Sequence, residues 1–227
     1  MFFLIDKERK ILFGWSAKCG CSHVKRMFYF LQGQIDHPLH TSPDYGKLFN
    51  IQLNEYKIFI FIRNPYERIV SGFLDKYAEP NGAFYHMWNK DIPLTFNNFV
   101  NDLTINTYKH IQRHHFTPQL SEAWHNIIKT QSALKVYDIF EIDYEYLGSI
   151  YNKIIPSEII NFRGDHANKK EIVDCAKVYN LLQKDYTDKR PVTASFHNTE
   201  LANKIHTFYK VDFDFFESIG LTYNVSV

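Results

Sequence analysis

The sequence has little cysteine and almost no net charge, and each shortage excludes a class of protein. Of its 227 residues only Cys19, Cys21 and Cys175 are cysteine, and the formal net charge is +1. Three cysteines cannot build a disulfide scaffold, so a reducing compartment is the simpler expectation. A chain this close to neutral does not attract nucleic acid in bulk, so we expect no nucleic-acid partner and only a local anion site.

Long apolar runs are also missing. The opening segment Met1–Ile5 is apolar but stops at Asp6, which makes it too short for a membrane span or for the apolar part of a signal peptide. We therefore expect a soluble, cytoplasmic protein without stable membrane insertion. The sequence carries no signal for a particular oligomeric state.

Apolar and aromatic residues are plentiful, at 45% and 17%, so the chain can form a core. Its length fits a single domain over residues 1–227. Strand patterns alternate with helical periodicity, which predicts an α/β fold with a mostly parallel sheet and helices on both faces. The predicted strands are Phe2–Ile5, Ile11–Phe13, Tyr56–Ile62 and Ala133–Phe140; the predicted helices are Ser22–Gln32, Pro65–Leu74, Phe96–Leu103, Tyr144–Ile154, Ile172–Gln183, Thr199–Tyr209 and Asp212–Ile219.

The first strand–loop–helix segment has the geometry of a phosphate site. The apolar run Ile11–Phe13 predicts a buried strand, and the small residues Ser16–Ser22 predict a tight turn before a helix. The first N–H groups of a helix and the positive end of its dipole face such a loop. Lys18 adds a positive charge and Ser22 a hydroxyl. The same stretch also fits an ordinary turn that carries a solvated lysine.

A second predicted strand is followed directly by an arginine. The run Ile58–Ile62 is continuous and β-rich, as expected for a central strand buried on both faces. Arg63 follows it, and Pro65 begins a helix. Arg63 therefore lies where a strand of an open α/β sheet ends, the usual ligand edge, although a surface ion pair would also explain it.

Together the two loops resemble the sulfotransferases that use 3′-phosphoadenosine 5′-phosphosulfate (PAPS). The resemblance is closest to the carbohydrate sulfotransferases that include the chondroitin and dermatan 4-O-enzymes. Their motif P-K-x-G/A-C-T-x-W-K-R is similar to Ala17–Arg26, and their R-x-P-F-E-R-L-x-S-A-Y-x-D-K-F is similar to Arg63–Tyr77. Weaker matches follow in order at His115–Gln119, Tyr137–Phe140, Tyr144–Leu147 and Tyr209–Phe216.

The sequence departs from this pattern at several points. Ala17 replaces the proline of the first motif and Val24 its tryptophan. The cysteine pair that usually follows the proline and glutamine of the third motif is missing, and Ala123 and Asn126 occupy about those places. These departures fit a reduced, soluble relative of the family.

The resemblance implies a P-loop-like three-layer fold and transfer of a sulfuryl group from PAPS to a hydroxyl. The acceptor would be a glycan or a small molecule, most simply a carbohydrate, and no metal would be needed. Lys18 would neutralise the leaving 5′-phosphate, and Arg63 and Ser71 would hold the 3′-phosphate. The nucleotide-binding residues implied in the first loop are Lys18, Cys19, Gly20, Cys21, Ser22 and His23.

The general base would be His115, because it lies in the matched third motif and histidine titrates near neutrality. His114 is a rival, and His115 could instead only bind substrate. His110 and His114 are four residues apart, which is a metal-like spacing, but no third ligand is evident.

Two other functions stay open. A small-molecule kinase of related architecture would need Mg²⁺, and the missing G-x-x-x-x-G-K-[ST] pattern counts against it, since Lys18 precedes Gly20. A non-catalytic nucleotide-binding module would keep the fold without turnover.

Overall fold

The computed structural model describes residues 1–39, 52–78, 82–105, 110–121, 125, 133–162, 172–173, 177–182, 185 and 190–225. The chain divides into two compact units, each made of two stretches. The first contains Met1–Arg63 and Gln119–Ala167, and the second contains Asn64–Pro118 and Asn168–Val227. The assignment of residues 1–227 to a single domain stays a prediction.

The first unit is built on a four-stranded sheet in the order β1-β2-β3-β4. Strands β1 and β2 form an antiparallel hairpin, while β2, β3 and β4 run parallel. The predicted mostly parallel sheet is therefore confirmed. The strands are β1 Phe2–Asp6, β2 Ile11–Trp15, β3 Lys57–Ile62 and β4 Leu134–Asp138.

Seven α-helices lie within the described residues: α1 Cys21–Leu31, α2 Pro65–Lys76, α3 Phe96–Thr104, α4 Tyr144–Ile150, α5 Ser157–Ile160, α6 Thr199–Phe208 and α7 Lys210–Ser218. None of these described helices has the length and apolar character that crossing a bilayer requires. Asn64 caps α2 by accepting the Tyr66 N–H at 3.0 Å, and Pro65 occupies the first helical turn, as predicted.

The core of the first unit lies between one face of the sheet and helices α1, α4 and α5. Phe13 of β2 is its centre, since its ring centroid lies 5.2 Å from those of Phe28 and Phe61 and 5.5 Å from that of Phe59. The other face of β3, including Ile60, is buried as well. The prediction of a central strand buried on both faces is confirmed.

The second unit contains α2, α3, α6 and α7 around a core rich in aromatic rings. Phe73 of α2 packs against Phe96 and Phe99 of α3, with ring centroids 5.3 and 5.1 Å apart. The predicted helices in these regions are confirmed. Two parallel two-residue strands, β5 Ile172–Val173 and β6 Arg190–Pro191, also belong to this unit.

The helix predicted over Tyr144–Ile154 is shorter than expected, because α4 ends at Ile150. Asn152 adopts a left-handed φ of 51°. Its N–H then bonds to the Ser149 carbonyl at 3.1 Å, and the Lys153 N–H bonds to the Gly148 carbonyl at 2.9 Å. This pair of bonds is a Schellman motif, which closes a helix instead of extending it.

The helix predicted over Ile172–Gln183 is wrong in the residues that the structure describes. Ile172–Val173 is strand β5, and Val178–Asn180 is a 3₁₀-helix. Lys177 has a left-handed φ of 57°, which an α-helix of L residues does not continue through. The β-branched pair at the start favours extended backbone. Residues 174–176 and Gln183 lie outside the described residues.

Candidate functional site

The loop between β2 and α1 has a tight backbone that depends on glycine. The Cys19 N–H bonds to the Ser16 carbonyl at 3.1 Å, and both Lys18 and Gly20 adopt left-handed backbone, with φ of 68° and 65°. A β-carbon on Gly20 would lie 2.5 Å from Cγ1 of Ile139. Only glycine fits there without displacing Ile139, so the conformation of the loop is set by its sequence.

The N-terminus of α1 is arranged for an anion. Its N-cap is Gly20, which has no side chain to accept the first helical N–H groups. The caps of α2, α3, α4 and α6 are Asn64, Thr95, Asp143 and Asn198, and each accepts an N–H from its own helix. The first turn of α1 contains no acidic residue. The positive end of this helix is therefore suited to a negatively charged ligand.

Arg63 lies beside this loop. Its backbone follows β3 directly, and its Nη1 is 3.5 Å from the Lys18 carbonyl oxygen. Its guanidinium carbon is 5.4 Å from the ring centroid of Phe140, within the range of a cation–π interaction. The structure thus brings together Arg63 and the loop residues from Lys18 to His23, all in the first unit.

Gln119 connects these two segments, a role that the sequence alone did not predict. Its Oε1 accepts the Arg63 N–H at 2.9 Å and lies 2.8 Å from Sγ of Cys19, and its Nε2 donates to the Arg63 carbonyl at 2.8 Å. Its own carbonyl accepts the Ser16 hydroxyl at 2.9 Å. The available signal was its place at the end of the matched segment His115–Gln119.

Other polar side chains of the first motif have structural partners. The ring of His23 is buried, with Nδ1 2.9 Å from the Phe162 carbonyl and Nε2 3.0 Å from the Tyr144 hydroxyl. Its ring therefore supports the fold, and only its backbone is left for the nucleotide role predicted for it. Cys19 and Cys21 are both present as thiols.

Lys25 is a buried cation of the same motif. Its Nζ donates to the Leu39 carbonyl at 2.8 Å and lies 4.6 Å from the ring centroid of Trp15. Burial is the largest cause of a lowered pKa for this amine. Lys25 therefore anchors α1, while Lys18, which is only half-buried, is the lysine of the loop itself.

Ser71 and His115 belong to the second unit. Ser71 is a half-buried residue of α2, and His115 ends the 3₁₀-helix Arg113–His115. Oε1 of Gln112 accepts the His115 backbone N–H at 3.2 Å and lies 2.8 Å from its Nδ1. A carbonyl oxygen cannot donate, so Nδ1 carries the proton and Nε2 is the basic nitrogen of the neutral ring.

Two residues hold the backbone around His115. Arg68 is buried, and its Nη2 donates to the His115 carbonyl at 3.2 Å. The hydroxyl of Tyr209, also buried, donates to the Phe116 carbonyl at 2.8 Å. The imidazole is thus fixed in position and in tautomer by groups within its own unit.

His110 and His114 are the other two histidines of this segment, and their surroundings differ from those of His115. The His110 N–H and its Nδ1 each lie 2.9 Å from a carboxylate oxygen of buried Asp102. Desolvation is the largest cause of a lowered pKa for His114. In the described part of the chain, no three or more His, Cys, Asp or Glu side chains form a group that could hold a metal.

The sequence is similar to those of known proteins. The family model described as Sulfotransferase family matches residues 1–218. Carbohydrate sulfotransferase 9 of Homo sapiens is 32% identical over 102 residues, which cover 39% of this chain and 23% of that protein. Carbohydrate sulfotransferase 8 of Mus musculus is 29% identical over 102 residues, which cover 39% of this chain and 24% of that protein.

Carbohydrate sulfotransferase 11 of Rattus norvegicus is 24% identical over 99 residues, covering 37% of this chain and 28% of that protein. The similarity thus spans about a quarter of the length of these curated relatives. No solved structure matches the chain significantly.

Proposed function

Because the chain belongs to the sulfotransferase family, we propose that it transfers a sulfuryl group from PAPS to a hydroxyl of a carbohydrate. The observation that carries this proposal is the N-terminus of α1. There the cap is Gly20, Lys18 has a left-handed backbone conformation, and Arg63 lies next to the loop. This set of donors is cationic and fits a ligand with several negative charges. The relatives named above are carbohydrate sulfotransferases, which supports a glycan acceptor.

PAPS, when bound, supplies the sulfuryl group and a nucleotide phosphate as leaving group. The residues that would hold it are Lys18 with the first N–H groups of α1, Ser22, Arg63 and Ser71. Lys18 and the helix N-terminus would provide positive charge to the leaving phosphate as it gains negative charge, and would thereby stabilise the transition state more than the ground state. The fixed backbone of the loop means that little reorganisation is needed at that moment.

His115 is the proposed acceptor of the substrate proton. Gln112 holds the Nδ1 proton, so Nε2 has the lone pair that a general base requires. His114, whose ring is on the same 3₁₀-helix, is the alternative base.

The kinase alternative is not favoured, because the matching family and the named relatives are sulfotransferases.

Metal independence remains part of the proposal. A cytoplasmic location also remains a proposal, and it rests on the small number of cysteines in the sequence.

The test begins with the nucleotide. Isothermal titration calorimetry should show clearly tighter binding of 3′,5′-ADP than of 5′-ADP, and Arg63→Ala should remove most of that preference. A charge-assisted hydrogen bond contributes about 1.5–3 kcal/mol, so the loss should be at least about tenfold. Lys57→Ala, which removes an exposed lysine at the start of β3, is the matched control and should leave the preference unchanged.

Equal affinity of the unaltered protein for the two nucleotides would contradict the proposal. The second stage is transfer of labelled sulfate from PAPS to a panel of neutral and acidic oligosaccharides, with EDTA present. Transfer that needed added Mg²⁺ would contradict the metal-independent mechanism, and binding without any transfer would favour a non-catalytic module.

A further inference from the structure

Gln119 is a buried polar side chain whose amide group contacts two separate segments of the first unit. It is 0% exposed, and its amide group contacts both the N–H and the C=O of one residue, Arg63. An amide that accepts from and donates to the same backbone residue imitates a neighbouring β-strand. The ladder between β2 and β3 ends two residues before Arg63, at the pair Trp15 and Phe61. Gln119 therefore holds Arg63 in line beyond the end of the sheet.

The same residue also holds the phosphate loop. The Cys19 thiol reaches the Oε1 that accepts the Arg63 N–H, and the Gln119 carbonyl takes the Ser16 hydroxyl. Loop and arginine are thus joined through one side chain, and the Arg63 guanidinium comes to lie 3.5 Å from the Lys18 carbonyl. A buried network of this kind costs desolvation, and an apolar side chain of the same volume would fill the space without that cost.

We propose that Gln119 is a positioning residue that sets the spacing between Arg63 and the Lys18 loop, and thereby the affinity for the nucleotide and the preference for its 3′-phosphate. This role rests on the proposed function. Without the Gln119 amide, the backbone N–H and C=O of Arg63 lose the two hydrogen bonds that hold them in place, and we expect Arg63 to shift. Because bidentate contacts between arginine and phosphate tolerate little displacement, a small shift is enough to weaken binding.

The experiment compares Gln119→Leu, Gln119→Glu and the unaltered chain. Leucine removes both polar functions, whereas glutamate keeps an acceptor for the Arg63 N–H but faces the Arg63 carbonyl with a second oxygen. Both variants should bind 3′,5′-ADP about tenfold or more weakly and lose most of the preference over 5′-ADP, as measured by calorimetry well below the melting temperature.

Asp102→Asn is the matched control. Asp102 is a buried polar residue that holds a backbone N–H and a side chain of its own unit, as Gln119 does, but it has no role in the proposed site. Its substitution should lower the melting temperature and leave both nucleotide affinities unchanged. The comparison separates loss of general stability from loss of the site.

A measurement on the unaltered protein keeps the proposal testable if the Gln119 variants do not fold. The Arg63 amide should be protected from hydrogen exchange before any nucleotide is added, because Gln119 already holds it. Rapid exchange of that amide in the nucleotide-free protein would overturn the positioning role.

The outcomes distinguish this proposal from the proposed function. If the unaltered chain prefers 3′,5′-ADP and Gln119→Leu keeps that preference and affinity, Gln119 only stabilises the fold and the positioning role is wrong. If the unaltered chain has no preference between the two nucleotides, the proposed function fails, and the inference drawn from it fails too.

Discussion

Lys18 combines a charged side chain with a strained backbone, and the two effects can be separated by substitution. Its φ of 68° is in the left-handed region, which residues other than glycine rarely adopt. Both Lys18→Ala and Lys18→Gly remove the ammonium group. Only Lys18→Gly also removes the backbone strain, so the pair isolates one cause from the other.

The expected difference in stability follows from the backbone. The left-handed conformation costs a non-glycine residue about 1–2 kcal/mol, which a glycine does not incur. Glycine also gives the unfolded chain more conformational entropy, and this lowers the stability of the folded protein by about 0.4–1 kcal/mol. Lys18→Gly should therefore be more stable than Lys18→Ala by about 1 kcal/mol, or about 2–4 °C in melting temperature.

Both variants should lose nucleotide affinity to the same degree. The ammonium group would meet a phosphate through a charge-assisted hydrogen bond worth about 1.5–3 kcal/mol, so the Kd for 3′,5′-ADP should rise at least about tenfold. We therefore expect the glycine variant to be more stable than the alanine variant and to bind 3′,5′-ADP equally weakly. The two measurements are thermal unfolding without ligand and calorimetry with 3′,5′-ADP.

Lys10 supplies the control, since it has nearly the same backbone, with φ of 54°, in the turn between β1 and β2. Its Nζ contact with Glu55 is lost equally in Lys10→Ala and Lys10→Gly. Lys10→Gly should show the same gain over Lys10→Ala, with nucleotide affinity unchanged in both. If only the Lys10 pair shows the gain, the strain argument is wrong for Lys18; an unchanged Kd in the Lys18 variants would refute its role toward the anion.

Three further predictions concern other residues. Gly20→Ala should destabilise the protein by about 2 kcal/mol, because it adds left-handed strain and a contact with Ile139, and unfolding in denaturant measures this; a loss below 0.5 kcal/mol, on the order of a surface change, would contradict it. His115→Ala should slow sulfate transfer by about 10²–10⁴-fold and abolish the acidic limb of its pH–rate profile, while binding of 3′,5′-ADP persists; an unchanged limb would point to another base. Burial lowers the pKa of His197 to about 4 from an ordinary 6.5. The neutral ring therefore contributes fully to stability above pH 6.5, and this contribution is lost as the pH falls toward 4. Between pH 7 and pH 5 the loss in the free energy of unfolding should be about 2 kcal/mol. His197→Phe should remove that share of the pH dependence in unfolding measurements, and an unaltered slope would show that another group causes it.

The parts of the fold that local sequence patterns determine could be predicted. The loop before α1 follows from a short apolar strand, small residues and a helical repeat, and all three signals lie within Ile11–Phe30. The start of α2 follows from Asn64 and Pro65, a polar cap and a residue with its φ already set. These signals act over a few residues, so a single sequence contains them.

The errors occurred where one backbone angle opposed the periodic pattern. Apolar residues at helical spacing describe which face of a segment is buried, but they do not report the left-handed φ at Asn152 or Lys177. Each of these angles ends a helical path. Asparagine adopts left-handed angles more often than most residues, so the end of the helix at Asn152 could have been predicted. Lysine has no such preference, so the angle at Lys177 could not.

The role of Gln119 could not be predicted because its contacts are distant in sequence. It lies 56 residues from Arg63 and 100 from Cys19. A glutamine next to a proline has no periodicity and no characteristic spacing to either residue. Only the three-dimensional structure shows that the Gln119 amide bonds to both the N–H and the C=O of Arg63.

The order of the strands also determines the order in which the sheet can assemble. The turn that joins β1 to β2 is residues 7–10, whereas the connection from β3 to β4 is residues 63–133 and contains the first stretch of the second unit. Closing the longer connection costs about 2.5 kcal/mol more chain entropy than closing the short turn. The hairpin should therefore form early, and β4 should join last. During synthesis β3 would meanwhile present an open apolar edge, a period in which the nascent chain is exposed to aggregation and in which a chaperone would be most useful.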